Sequence, residues 1–187
     1  MEIKFESELV YQHDAISAIV DIFHGQEICV SNFTVFSPAF LAKQKTLDFN
    51  QAGYANKLEL MESQILENVQ KIQLRNGLKP SVSEEIKKEH LDFSVEMETG
   101  TGKTYVYLRT IMEMNRQYGF TKFIIVVPSI PIKEGVYKSL EITETHFKGL
   151  YNSIPYKYFI YDSSRLNEIR EFATNDQLQI MVINIDA

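Results

Sequence analysis

The run of residues from Glu98 to Thr104 constrains this chain more than any other stretch. It reads Glu-Thr-Gly-Thr-Gly-Lys-Thr, and its flanks favour a strand before it and a helix after it. Gly100 and Gly102 let the backbone curl so that successive N–H groups point inward at an anion. The helix that follows adds the positive end of its dipole. The run therefore predicts a phosphate-binding loop.

Each position of this loop has an expected role in holding a nucleoside triphosphate. Lys103 would reach the β- and γ-phosphates, and the Thr104 hydroxyl would bind Mg²⁺. Met97 stands where the written motif G-x-x-x-x-G-K-[ST] has its first glycine, and we interpret it as the end of the preceding strand. The residues expected to surround the phosphates are Glu98, Thr99, Gly100, Thr101, Gly102, Lys103 and Thr104.

From residue 91 onward, strand patterns and helix patterns alternate. Parallel strands joined by right-handed helical crossovers give this alternation, so the sequence predicts an α/β fold with helices on both faces of a parallel sheet. The predicted strands are Phe93–Met97, Lys122–Val127, Tyr156–Tyr161 and Leu178–Ile185. The predicted helices are Lys103–Tyr118, Pro131–Phe147 and a helix capped by Ser164 that runs to Ala173.

The residues before this alternation form two further segments. An apolar stripe predicts a helix that ends at Gly25, and a second stripe from Leu58 to Ile72 predicts a helix that ends before Gly77. We divide the chain into an N-terminal helical segment, residues 1–25, a partly helical insertion, residues 26–90, and a phosphate-binding part, residues 91–187. Because the chain stops directly after a strand, we expect it to be part of something larger.

Composition excludes several classes of protein. The chain has 187 residues, 44% of them hydrophobic, which fits one globular domain. Its net charge of -6 argues against a basic arm that coats DNA, although a local basic groove remains compatible. A single cysteine, Cys29, excludes a disulfide framework. The start of the chain lacks the apolar core of a secretion signal. We therefore expect a reduced, cytoplasmic domain with no membrane partner.

Two short segments away from the loop carry further candidates. Gln12 can pair with N6 and N7 of adenine and would then select ATP over GTP, but it also reads as a surface glutamine at the start of a helix. Pro128 and Ser129 follow a buried strand, at the edge where ligands sit in open α/β sheets. There Ser129 and Lys133 could hold a nucleic-acid phosphate, or the segment could simply stop a strand and start a helix.

Four strings taken together resemble a known family. The chain is similar, over most of residues 91–187 and over residues 5–25, to the start of the helicase-type motor in the Res subunit of type III restriction enzymes. Those subunits belong to the superfamily 2 helicases and translocases, whose motor lobes are RecA-like. The strings are YQHDAI (11–16), METGTGKTYVYLRT (97–110), FIIVVPSIPIKEGV (123–136) and INIDA (183–187).

The resemblance assigns roles to individual residues. It implies that Gln12 reads the adenine, with Phe5 or Tyr11 stacking on the base. It implies the Walker A roles for Lys103 and Thr104. It also implies that the segment containing Pro128, Ser129 and Lys133 tracks one DNA strand. Asp186 is a candidate Walker B acid, but the resemblance favours an acidic box that follows INIDA, so the lobe would be truncated before the Walker B strand.

The resemblance also implies a function for the parent protein. That protein would be a type III site-specific deoxyribonuclease whose ATP-dependent motor translocates on double-stranded DNA, with a modification methyltransferase subunit as partner. The present chain would bind ATP and Mg²⁺ and hydrolyse ATP negligibly by itself. Two alternatives remain open: an ATP-binding interaction module that acts through residues 26–90, and a superfamily 2 DNA helicase without a nuclease.

Overall fold

The computed structural model describes residues 6–28, 33–34, 53–83, 86 and 91–185. Phe5, Cys29 and Asp186, which were considered above, lie outside these ranges. The chain divides into two compact units, residues 1–28 with 58–118 and residues 29–57 with 119–187. The helices are α1 (Val10–Val20), α2 (Glu62–Arg75), α3 (Lys103–Tyr118), α4 (Ile130–Leu150) and α5 (Leu166–Thr174). The strands are β1 (Phe33–Thr34), β2 (Gly53–Tyr54), β3 (Lys122–Val127), β4 (Tyr156–Ile160) and β5 (Leu178–Asn184).

The first unit is built on the packing of α1 against α3. The predicted first helix is confirmed: α1 buries Ile16 and Val20 and ends at Val20, a 3₁₀ turn (Asp21–Phe23) continues it, and Gly25, with φ +90°, follows that turn. The Tyr118 hydroxyl at the end of α3 donates to the Val20 carbonyl at 3.0 Å. This bond satisfies a carbonyl at the end of α1 and fixes that end against α3.

Helix α2 packs against the 3₁₀ turn that follows α1. The predicted stripe is confirmed here, because Ile65 and Val69 are buried and Gly77, with φ +70°, follows the helix. Buried Asn68 donates its Nδ2 hydrogens to the carbonyls of Ile22, at 3.0 Å, and His24, at 2.9 Å. Part of the segment assigned above to the insertion is thus packed into the core of the first unit.

The predicted strand over Phe93–Met97 is wrong. Residues 91–98 form neither a strand nor a helix. A strand is defined by ladder bonds to a neighbour, and no strand in the described ranges pairs with this segment. Leu91 and Phe93 instead pack against the buried cluster that includes Ile22 and Ile65. The apolar character of Leu91 and Phe93 therefore reflects this packing and not a sheet, whereas Val95 is 42% exposed.

The second unit contains a three-stranded parallel sheet in the order β3-β5-β4. In its register, Ile180 on β5 lies opposite both Phe123 on β3 and Tyr158 on β4. The central strand is the most buried of the three, and its Ile180 and Val182 are fully buried. The two short strands β1 and β2 pair antiparallel. The strands predicted for β3, β4 and β5 are confirmed to within one residue.

Helices lie on both faces of the parallel sheet. On one face, Tyr137 of α4 contacts Tyr158, and on the other, Phe172 of α5 contacts Phe159. The sheet with its flanking helices confirms the predicted α/β, RecA-like architecture. Helix α4 is a single helix because Pro131 stands in its first turn, where the missing N–H costs no intrahelical bond.

The predicted cap of α5 is wrong. The Ser164 hydroxyl donates to Asp162 Oδ1 at 2.6 Å, and Arg165 occupies the N-cap position without a side-chain capping bond. The Ser164 side chain therefore stabilises the turn at Asp162 and does not cap the helix. Within the described stretches, no helix combines the length and the apolar character that crossing a bilayer requires.

Candidate functional site

The loop from Glu98 to Thr104 leads directly into α3, as predicted. Helix α3 begins at Lys103, and both Gly100 and Gly102 have φ +83°, a backbone conformation that other residues adopt only with strain. No acidic residue lies in the first turn of α3, so the positive end of the helix dipole is not neutralised there. Glu98, Thr99 and Gly100 are exposed. The loop is thus open to solvent and has the backbone shape that an anion site requires.

The side chains of the loop bond to its own carbonyls. Lys103 Nζ donates to the carbonyls of Met97, at 3.0 Å, and Glu98, at 2.9 Å. The Thr101 hydroxyl also donates to the Glu98 carbonyl, at 2.7 Å. Lys103 is exposed, and its ammonium is held against the carbonyls at the start of the loop.

Gln12 lies against this loop, although the residues alone did not decide between a role in adenine recognition and an ordinary surface position. Its side chain is only 6% exposed, and Nε2 donates to the Thr101 carbonyl at 3.0 Å. A Cβ atom built on Gly102 would stand 2.8 Å from Gln12 Nε2, so the glycine is required for this close approach. Gln12 Oε1 is buried and has no hydrogen-bond partner among the described residues. The reading of Gln12 as an ordinary surface residue is therefore wrong.

Tyr11 and Thr104 have less defined surroundings. Tyr11 is 48% exposed on α1, and so it retains the free ring surface that stacking on a base would need. Thr104, in the first turn of α3, hydrogen-bonds through its side chain to Tyr107. Burial raises the pKa of Tyr107, and the bond from Thr104 partly offsets this rise. Tyr107 therefore stays a neutral phenol beside the hydroxyl predicted to bind Mg²⁺.

Sequence reasoning missed Arg109, which lies on α3 beyond the loop. Its side chain is only 7% exposed, and Nη1 donates to the Ser7 carbonyl at 2.5 Å. A buried guanidinium requires hydrogen-bond acceptors, and here one is the backbone just before α1. The available signal was a cation in the middle of an apolar helical stripe, next to Leu108 and Met112.

In the second unit, Pro128, Ser129 and Lys133 lie at the carboxyl edge of the parallel sheet. Ser129 is the N-cap residue of α4. Lys133, one turn further on, donates from Nζ to Asn184 Oδ1 at 3.1 Å. Asn184, at the end of β5, was not a predicted site residue, although a polar residue after an apolar strand was the available signal.

Asp162 follows β4 at the same edge of the sheet. Hydrogen bonds from the Ser164 hydroxyl and N–H lower the pKa of Asp162, and the positive charge of Lys133 acts in the same direction. The ends of all three parallel strands therefore contribute polar groups near Lys133. This is the edge at which open α/β sheets bind ligands.

A cavity at the outer side of β4 includes none of the predicted site residues. Its volume is about 360 Å³, and its lining includes Glu144, Tyr156 and Tyr158. Burial raises the pKa of Tyr158 to about 12, and the neighbouring Glu144 carboxylate adds to the shift. Burial also raises the pKa of Tyr156. Both phenols are therefore neutral at physiological pH and offer hydrogen-bonding groups but no charge.

Comparison with known proteins identifies the family. The family model described as "Type III restriction enzyme, res subunit" matches residues 10–187. The EcoPI Res subunit of Escherichia phage P1 is 31% identical over 153 residues, which cover 79% of this chain and 14% of that protein. The EcoP15I Res subunit of Escherichia coli is 39% identical over 97 residues, covering 51% of this chain and 10% of the relative.

A third relative has a shorter match. The StyLTI Res subunit of Salmonella typhimurium is 44% identical over 64 residues, covering 33% of this chain and 6% of that protein. The chain thus spans between 6% and 14% of the length of these relatives. Because the family model covers nearly all of the chain, we conclude that it belongs to the family of type III restriction enzyme Res subunits.

Proposed function

We propose that this chain binds Mg·ATP through the loop at residues 98–104 and reads the adenine with Gln12. The observation that carries the proposal is the contact between Gln12 and the loop. One side chain that can recognise adenine is buried against a backbone shaped for phosphate, within a single compact unit. Its Oε1 atom is a buried acceptor with no partner among the described residues, and an adenine amino group is a donor that would satisfy it.

The residues of the first unit fit ATP and Mg²⁺, the two groups that the family implies. The exposed glycine turn and the start of α3 suit a triphosphate, and Lys103 would neutralise it. Gln12 Nε2 carries a second hydrogen beyond the one directed at Thr101, so the amide can both donate and accept at an adenine edge. Thr104 would contribute a hydroxyl to Mg²⁺. When bound, the metal supplies charge neutralisation for phosphoryl transfer.

We further propose that the parent protein is an ATP-driven DNA translocase that feeds a restriction nuclease. The relatives are Res subunits of type III restriction-modification enzymes. In that setting Pro128, Ser129 and Lys133 would contact one strand of double-stranded DNA, and a modification methyltransferase subunit would be the partner. The placement of Lys133 at the carboxyl edge of the sheet supports this assignment.

Isothermal titration calorimetry on the 187-residue chain tests the nucleotide site. We expect ATP with Mg²⁺ to bind, and Lys103→Ala to lower the affinity by about tenfold or more, because hydrogen bonds to charged groups contribute about 1.5–3 kcal/mol. Lys71→Ala is the matched control, since Lys71 is exposed on α2 and pairs with Glu67.

The outcomes separate the two parts of the proposal. Equal ATP affinity for the wild-type chain and Lys103→Ala would exclude the loop as the triphosphate site. Equal affinity for ATP and GTP in the wild-type chain would instead exclude adenine recognition by Gln12. We expect no measurable ATP turnover by this chain alone, and a robust rate would contradict that expectation.

A further inference from the structure

Arg109 links the phosphate-binding helix to the segment that carries the adenine-reading residue. It lies on α3 about two turns beyond Lys103, and it is 7% exposed. Its Nη1 atom donates to the carbonyl of Ser7, three residues before α1 begins. Tyr105, one turn earlier on α3, also hydrogen-bonds to Arg109. The guanidinium thus spans from its own helix to the backbone just before α1.

The Ser7 carbonyl is a shared acceptor. His13 Nε2 lies 2.9 Å from the same oxygen, and His13 also pairs with Glu8 at 3.3 Å. His13 is the residue next to Gln12 in the first turns of α1. Two side chains, one from each helix, therefore converge on one backbone atom. This arrangement fixes the segment before α1 relative to both α1 and α3.

The position of Gln12 is sensitive to this anchoring. Gln12 Nε2 lies 2.8 Å from the position that a Cβ atom on Gly102 would take, and it is 3.0 Å from the Thr101 carbonyl oxygen to which it donates. A shift of the start of α1 by less than one ångström would break that bond or press the amide into the loop. Lysine cannot reproduce the geometry of Arg109, because a single ammonium on a flexible stem replaces a planar fork of donors.

We propose that Arg109 is a positioning residue for adenine recognition, acting through the Ser7 carbonyl to hold Gln12 at the edge of the phosphate-binding loop. This inference rests on the proposed function of Gln12. Arg109 would touch neither the base nor the phosphates. It would set how well the chain distinguishes ATP from a ligand with the same phosphates and no base.

The test compares binding of ATP and of inorganic tripolyphosphate, both with Mg²⁺, by calorimetry on the 187-residue chain. We expect Arg109→Lys to weaken ATP binding by about tenfold, which is the size of a lost base contact, and to leave tripolyphosphate affinity unchanged. Arg116→Lys is the matched control, because Arg116 is exposed on the same helix and pairs with Glu113. It should change neither affinity.

A double-mutant cycle with Gln12→Ala decides whether Arg109 acts through Gln12. In the Gln12→Ala background, Arg109→Lys should cause no further loss of ATP affinity. Additive losses, or an equal loss of ATP and tripolyphosphate binding, would overturn the inference. If Gln12→Ala itself leaves the ratio of the two affinities unchanged, adenine recognition by Gln12 fails, whatever Arg109 does.

His13→Ala provides a second route if Arg109→Lys does not fold, as judged by its circular dichroism melt. His13→Ala removes the other side chain at the Ser7 carbonyl, and because His13 is partly exposed, its replacement is less costly to stability than that of buried Arg109. We expect it to lower the ratio of ATP to tripolyphosphate affinity in the same direction and by a smaller factor. An unchanged ratio would overturn the role assigned to this carbonyl.

Discussion

Replacing Gly102 by alanine should separate adenine recognition from phosphate binding. The new Cβ would stand 2.8 Å from Gln12 Nε2, closer than non-bonded atoms tolerate, and the next nearest atom, Gln12 Cδ, is 3.9 Å away. Because the obstructing atom is the end of a flexible side chain, the amide can move without displacing the backbone. The movement breaks the bond to Thr101 and takes Gln12 away from the position at which it would meet the base.

The magnitude follows from three contributions. An alanine held at φ +83° costs about 1–2 kcal/mol in the free energy of unfolding, because the left-handed region is unfavourable for residues with a Cβ. Loss of the Gln12–Thr101 hydrogen bond adds about 0.5–1.5 kcal/mol. The reduced freedom of the unfolded chain offsets about 0.4–1 kcal/mol of this.

Gly100→Ala is the matched control for this substitution. Gly100 has the same φ of +83°, but a Cβ there would meet nothing within 4 Å. The two variants therefore share the backbone strain and differ in the collision with Gln12. Gly102→Ala should be less stable than Gly100→Ala by about 1 kcal/mol, or about 2–4 °C in melting temperature for a chain of this size.

Nucleotide titrations complete the comparison. Gly100→Ala should lower the affinities for ATP and GTP by the same factor, since it alters only the phosphate cradle. Gly102→Ala should lower the affinity for ATP more, and so reduce the preference for ATP by about tenfold. The reasoning is refuted if both variants keep the wild-type ratio of ATP to GTP affinity.

Three further predictions concern other parts of the molecule. Asn68→Leu should lower the free energy of unfolding in urea by about 1–3 kcal/mol, because two backbone carbonyls lose their buried donor, and an unchanged midpoint would contradict this. The pKa of Tyr158 is raised to about 12, so the stability that its neutral phenol contributes is fully present below pH 10 and is lost as the pH rises from 10 through 12. The melting temperature of Tyr158→Phe should therefore fall less than that of the wild type over this range, and parallel curves of melting temperature against pH would contradict this. Lys133→Ala should weaken DNA binding and reduce the log–log salt slope by about 1, whereas Lys138→Ala, an exposed lysine paired with Glu141, should not.

The parts of the fold that were predictable are those fixed by local pattern. The start of α3 at Lys103 follows from a glycine-rich loop that leads into an apolar helical stripe. The three parallel strands follow from short apolar runs separated by helices. The failed strand over Phe93–Met97 shows the limit of such patterns. Alternating apolar residues are typical of a half-buried strand, but Val95 in this segment is exposed, and only a hydrogen-bonded neighbour makes a strand.

The parts of the site that were not predictable depend on contacts between distant residues. Gln12 and Thr101 are 89 positions apart, and nothing in the local sequence of either one shows that they touch. Arg109 and Ser7 are 102 positions apart, so the local sequence around Arg109 does not identify the carbonyl that accepts its hydrogen bond. The Ser164 hydroxyl could bond either to a backbone N–H at the start of the helix or to the nearby Asp162 carboxylate, and in the structure it bonds to the carboxylate.

The two carbonyls that hold Lys103 have a consequence for selectivity among anions. Two of the three N–H donors of the Lys103 ammonium are directed at the carbonyls of Met97 and Glu98, whose oxygens already compensate part of its charge. A small monovalent anion such as chloride would gain little by replacing these bonds, whereas a polyvalent chain of phosphates would engage the lysine and the backbone together. At the proposed phosphate site, the resting lysine would therefore favour polyvalent phosphates over monovalent anions without requiring any part of the chain to close over the site.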